Sequence, residues 1–352
     1  MPRPLGMPDQ LELPAAWYGA DLQSEEGRWV RHLSAGEVAE IEQAAAAFIA
    51  ADHPIDAVAP GTFVLPSLKA ELSDLRETLQ HGRGFGLIRG LPVARYDMLT
   101  AATIFCGIGA HLGSARSQNA KGHILGHVKD VGADVNDPTV RIYQTAERQS
   151  FHTDSSDVVG LLCLKEAMEG GDSLLVSTLT LYNEMMKRDP ALAGVLFDPI
   201  ATDRRGEVPA GEKPYFEIPV LNWHGGKLTG LYQRTYIESA ARFDDAPALT
   251  AQQLAALDLF DDLANDPAIH LKMRLKPGDM QFVYNHTMLH DRTGFRDWPK
   301  LEERRHLLRL WLALPGDRPL PEIFKQRYGS IEVGDRGGII TSETRLHVAL
   351  EP

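Results

Sequence analysis

Phe151-His152-Thr153-Asp154 sets an imidazole and a carboxylate two residues apart. On a strand, side chains two apart point to the same face, so His152 and Asp154 can reach one ion together. A second stretch, Asn285-His286-Thr287-Met288-Leu289-His290, supplies His290 as the expected third ligand. Two imidazoles and one carboxylate form the facial set that binds iron(II) and leaves coordination positions open. An H-x-D pair alone is equally at home in a turn with a satisfied histidine, so the reading depends on what surrounds it.

Downstream lies Arg304-Arg305-His306-Leu307-Leu308-Arg309-Leu310-Trp311-Leu312, an apolar run of strand character. Alternation places Arg305, Leu307, Arg309 and Trp311 on one face. A guanidinium among so many apolar residues is costly to bury without an anion beside it. Either an internal ion pair or a bound dicarboxylate, held by the planar fork, meets that need.

Taken in order, His152-Thr153-Asp154, Gly170-Gly171-Asp172-Ser173, Pro277-Gly278-Asp279, Asn285 to His290 and Arg304-Arg305-x-x-x-Arg309 resemble the TauD/TfdA (taurine dioxygenase-like) family of iron(II)- and 2-oxoglutarate-dependent oxygenases. The resemblance spans roughly residues 150–312. It implies an oxygenase that hydroxylates or otherwise oxidises a C–H bond of a small molecule and converts 2-oxoglutarate to succinate and carbon dioxide. The cofactors implied are Fe(2+), 2-oxoglutarate and O2. The iron ligands fall on His152, Asp154 and His290, and the groups for the distal carboxylate of 2-oxoglutarate on Ser173 and Arg305. Arg309 falls where the family places a contact to cosubstrate or to a substrate anion. Tyr143 and Gln118 lie in segments that line substrate pockets in the family. The carboxylate of Asp154 points to oxygenation and away from halogenation, which needs that position for chloride. The interval from His152 to Gly170 is shorter than in the family's namesake enzyme, and that from His290 to Arg305 is longer. Taurine is therefore not the expected substrate.

Two other classes are weighed: a cupin-like metal-dependent hydrolase or isomerase using the same three ligands, and an inactive binding protein of the same fold. Neither has a use for Ser173 together with Arg305.

The fold expected is mainly β with a helical shell (α+β), built on a double-stranded β-helix, or jelly-roll, core. Its signals are short strands at Val140–Thr145, 158–164, 173–177, 215–223, 227–232, 269–275 and 280–284, punctuated by glycine and proline. Helices are expected after Ser34, from Ser67, over residues 95–111, from Thr178 and after Thr250. The whole chain, 1–352, reads as one domain, with a helical arm and shell over 1–135, the jelly roll over 136–315 and a tail over 316–352.

The formal net charge of -12 argues against nucleic acid and anionic membrane as partners. The partner expected is a small, anionic substrate, and a homo-oligomer is left open. Cys106 and Cys163 read as buried thiols in a reducing compartment. No secretory leader and no membrane span is visible, which makes the cytoplasm the expected location. His123-x-x-x-His127 and His286 carry weaker metal readings, and Arg204-Arg205 reads as a solvated loop.

Overall fold

The computed structural model describes residues 6–134 and 140–352. Two sheets face each other. The major sheet runs in the order Val30–His32, Phe85–Arg89, Met280–Tyr284, Val158–Lys165, His306–Ala313, His123–Val128 and His347–Val348, with Ser114–Ala115 also pairing on His306–Ala313. The minor sheet runs Leu271–Met273, Ser173–Ser177, Met288–Arg292 and Gln149–His152. This is the expected jelly roll.

Period-two alternation divides the core into two layers. Val159 and Cys163 pair with Trp311 and Leu307 and point between the sheets. Their neighbours Val158, Leu162, Leu308, Leu310 and Leu312 point the other way, into a second apolar cluster. Three helices cover that outer face: Ala35–Ala50, Leu68–His81 and Met98–Leu112. The first begins with a full capping box between Ser34 and Glu37. Thr250 and Gln253 form another at the start of Ala251–Asn265.

Several expectations change. Val140–Thr145 is not a strand. Among the described residues it pairs with no strand, and Ile142–Gln144 forms a 3-10 turn, closed by the Thr145 hydroxyl donating to the Ile142 carbonyl. The run 215–223 breaks at Pro219, which has no N–H to offer a ladder. Tyr215–Pro219 pairs with Pro199–Asp203, and Leu221–His224 pairs with Lys227–Gly230 across the Gly225-Gly226 turn. Only Leu271–Met273 of the 269–275 alternation enters a ladder, although Leu275 is still buried.

Val30–His32, Phe85–Arg89 and His123–Val128 lie before residue 136 yet belong to the major sheet. Within residues 316–352, Arg336 is wholly buried. Its Nε donates to Asp157 at 2.7 Å and its Nη2 to Asp317 at 2.9 Å.

His306 opens its strand buried against His127, ring centroids 5.1 Å apart. His127 Nε2 donates to the Ala349 carbonyl at 2.9 Å, so its Nδ1 accepts from His306 Nε2 at 2.8 Å. Burial lowers both pKa values, that of His306 to about 3. The unfolded chain binds this proton below about pH 6.5, and the folded chain does not until far lower. Stability is therefore lost as pH falls through that interval, by up to about 1.4 kcal/mol per pH unit from His306. Urea unfolding at pH 7.5 and pH 5 should show a shallower loss for His306→Asn, whose amide can still donate to His127. Equal losses would remove His306 from the explanation.

Candidate metal centre and cosubstrate cavity

His152 ends the strand Gln149–His152 and lies opposite His290 in the ladder. Their ring centroids are 4.1 Å apart. Asp154 is not on that strand; it sits just beyond, in a buried loop. Two side chains hold it there. Asn285 Oδ1 accepts from the Asp154 N–H at 3.0 Å, and Asn285 Nδ2 donates to the Ser156 carbonyl at 3.0 Å. Trp311 Nε1 donates to Asp154 Oδ2 at 2.8 Å. His152 Nε2 lies 3.9 Å from Asp154 Oδ1, and His290 Nε2 lies 3.6 Å from Oδ2. One ligand atom from each of the three residues falls within 4.8 Å of the others.

Their protonation states suit a cation. His152 Nδ1 donates to the Ser150 carbonyl at 2.9 Å, which leaves the Nε2 lone pair facing inward. Burial lowers the pKa of His152, and that of His290 to about 3, so both rings are neutral. Burial alone would raise Asp154, but Arg309, the two imidazoles and the Trp311 N–H outweigh it and keep the carboxyl below its ordinary range. His290 Nδ1 is buried without a hydrogen-bond partner. Two neutral imidazoles and a carboxylate with one oxygen still uncommitted to a hydrogen bond fit iron(II).

His286 belongs elsewhere. It lies in the turn between Met280–Tyr284 and Met288–Arg292, with Nε2 2.7 Å from Asp157 Oδ1. Asp157, His286 and Asp317 lie close enough to hold an ion, but the Arg336 guanidinium already supplies the cation there. His123 packs on His347 and His127 on His306, so those two histidines do not converge.

A cavity beside the triad is lined by His152, His290, Ser173, Arg305 and Arg292, among others. Ser173 pairs with Arg292 in the ladder and donates its hydroxyl to Gln281 Oε1 at 3.1 Å. Gly170 and Gly171 precede it, both with φ of 73°. A side chain at Gly171 would bring its Cβ to 3.0 Å from Arg305 Nε, in a backbone conformation that favours glycine. The guanidiniums of Arg305 and Arg292 pack against the Phe295 ring, 5.1 and 4.8 Å from its centroid. Arg305 Nη1 and Arg292 Nε and Nη1 are buried without partners. Burial lowers Arg305 to about 10 and Arg292, with Arg305 nearby, to about 9. Two buried guanidiniums without a carboxylate partner among the described residues fit a dicarboxylate. Arg292 is absent from the reading of the sequence, although His290-x-Arg292 on one strand puts both on one face.

Arg309 stands on the wall between this cavity and a second one. Its Nε donates to Gln118 Oε1 at 2.7 Å, and its Nη1 lies 4.0 Å from Asp154 Oδ2. Its guanidinium lies over Tyr143 at 4.4 Å and Trp311 at 5.2 Å. Gln118 reaches the second cavity with its amide already engaged, since Nε2 donates to the carbonyls of Ile124 and Arg309. Tyr143 lines both cavities.

Residues 49–311 match the taurine catabolism dioxygenase TauD, TfdA family. The chain belongs to that family. It is 34% identical over 249 residues to FR-33289 synthase of Streptomyces rubellomurinus, covering 70% of this chain and 73% of that one. It is 32% identical over 305 residues to a taurine hydroxylase-like protein of Stachybotrys chartarum, covering 84% and 77%. Its fold is similar to that of an asparagine oxygenase solved with Fe(II), 3-hydroxyasparagine and succinate, with TM-score 0.63 at 17% identity, covering 81% and 93%. This TauD/TfdA protein is an iron(II)- and 2-oxoglutarate-dependent oxygenase of a small molecule. No helix among its described residues is long and apolar enough to cross a membrane.

Proposed function

We propose that His152, Asp154 and His290 hold the iron(II), that Arg305, Arg292 and Ser173 hold the distal carboxylate of 2-oxoglutarate, and that the substrate enters the second cavity. The observation that carries this reading is the adjacency of two buried neutral imidazoles and a buried carboxylate to two buried guanidiniums that no carboxylate among the described residues pairs with. When bound, iron(II) and 2-oxoglutarate supply the oxidising power for C–H oxidation.

The protein's own residues set the geometry. The Ser150 carbonyl fixes the His152 tautomer, and Trp311 reserves one oxygen of Asp154 for its own N–H. Gln149 Nε2 lies 2.9 Å from His152 Nε2 and lines both cavities, so this amide must turn aside when the ring ligates. Arg309, clamped by Gln118 and two aromatic rings, separates the cosubstrate from the substrate and presents positive charge to both. This supports an anionic substrate. Arg336 and the strand His347–Val348 tie residues 316–352 into the core, which supports one oxygenase domain spanning the chain.

Metal removal tests the reading. Protein given iron(II), 2-oxoglutarate and oxygen should form succinate, with one iron(II) bound per chain, and should stop on addition of a chelator. Succinate formation that persists at full rate after metal removal would contradict it.

A further inference from the structure

Arg327 carries a charge that no carboxylate among the described residues neutralises. It lies in the short helix Lys325–Tyr328, past residue 311 where the family match ends. That helix is pinned on both flanks of Arg327. Gln326 exchanges hydrogen bonds of 2.9 and 3.2 Å with the backbone of Glu217, and Tyr328 stacks on His286. Arg327 Nε donates to Ser155 Oγ at 2.7 Å, and the guanidinium lies 5.5 Å from the Phe216 centroid. Burial lowers its pKa. Half-buried, it lines the cavity that also exposes His152 and Asp154.

The surrounding polar groups point to an anion. Glu207, whose charge reaches Arg327, is engaged by the Arg141 guanidinium. Arg141 also donates to the Tyr236 hydroxyl at 2.5 Å, which leaves the phenol proton free. Ser155 Oγ accepts from Arg327, so its proton is free too. On the same Phe216 ring, 5.5 Å from its centroid, lies the buried guanidinium of Arg204, whose Nε donates to the Lys213 carbonyl at 2.9 Å and whose Nη2 lies 3.4 Å from a half-exposed Glu212. Arg204 is thus no solvated loop residue, and it adds positive potential. The cavity offers this end of a ligand a cation and two hydroxyl donors, whereas its other walls include Ile218, Val220, Leu231 and Ile237. Arg309 borders both cavities, but Arg327 borders only this one.

We propose that Arg327, with the hydroxyls of Ser155 and Tyr236, anchors an oxoanion head group of the primary substrate, a carboxylate, phosphate or phosphonate. The proposal rests on the reading that this cavity receives the substrate. Ser155 directly follows Asp154, so the anchor lies within a small molecule's length of the metal ligands.

Calorimetry on the anaerobic iron(II) protein tests it in two steps. 2-Oxoglutarate is titrated first, and methylphosphonate or acetate is then titrated into the complex. Failure of the first titration would count against the cosubstrate reading, and failure of the second against the anchor. Wild type should bind at least one of the two anions, and the preferred one identifies the head group. Arg327→Gln should weaken that binding roughly tenfold or more, the scale of a lost hydrogen bond to a charged group, with 2-oxoglutarate binding unchanged. Arg327→Lys, which keeps the charge, should recover part of it. Anion binding by Arg327→Gln equal to wild type, uptake of neither anion by wild type, or a parallel loss of 2-oxoglutarate binding would overturn the proposal.

Discussion

His290→Ala should abolish succinate formation and strip iron(II), whereas His286→Ala should keep an iron site and lose stability. The two histidines are four residues apart and both buried, yet they meet different partners. His290 faces His152 and Asp154. Loss of a direct ligand should cost more than the roughly 10–100-fold in affinity that follows loss of an outer hydrogen-bond partner. Trp311→Phe, which removes such a partner from Asp154, gives that smaller effect as an internal scale. His286 instead bonds to Asp157, inside a network closed by Arg336 and Asp317. Burial keeps His286 neutral, so its loss removes a hydrogen bond to a charged group, worth about 1.5–3 kcal/mol, while Asp157 keeps Arg336. Iron titration and urea unfolding separate the outcomes. Full activity in His290→Ala together with loss of iron from His286→Ala would reverse the assignment.

Arg305→Ala should raise the 2-oxoglutarate concentration needed for half-maximal rate far more than Ser173→Ala does. A hydrogen bond to a charged group is worth about 1.5–3 kcal/mol, or roughly 10–150-fold, and a neutral one about 0.5–1.5 kcal/mol. Ser173 also has a resident partner in Gln281, so its hydroxyl must exchange one bond for another. Arg292→Leu should fall near Arg305→Ala, because both guanidiniums face the same cavity. Without cosubstrate, Arg305→Leu removes a buried charge that no carboxylate among the described residues pairs with, and it should not destabilise the protein. Unchanged 2-oxoglutarate dependence in Arg305→Ala would move the role to Arg309.

Strand alternation made much of this legible. It predicts the shared face of Arg305, Leu307, Arg309 and Trp311, and capping residues mark the helices after Ser34 and Thr250. The short elements were not legible. Val140–Thr145 has strand-like composition, but a strand exists only where a partner offers a ladder, and none of the described residues does. Asp154 lies off the strand, where Asn285 and Trp311, both distant in sequence, determine its position. Arg292 was within reach, since it shares a face with His290. Arg327 and Arg336 were not, because a four-residue helix and an irregular segment carry no periodicity that shows which side is buried.

The most direct test of the central claim is optical. Anaerobic iron(II) and 2-oxoglutarate together should give the wild type a visible charge-transfer band at roughly 500 nm, as expected for this chelate on a site with open positions. The band should be absent from His290→Ala and should need much more 2-oxoglutarate in Arg305→Ala. A wild type that binds both partners without the band, or a band that survives loss of His290 undiminished, would contradict the account.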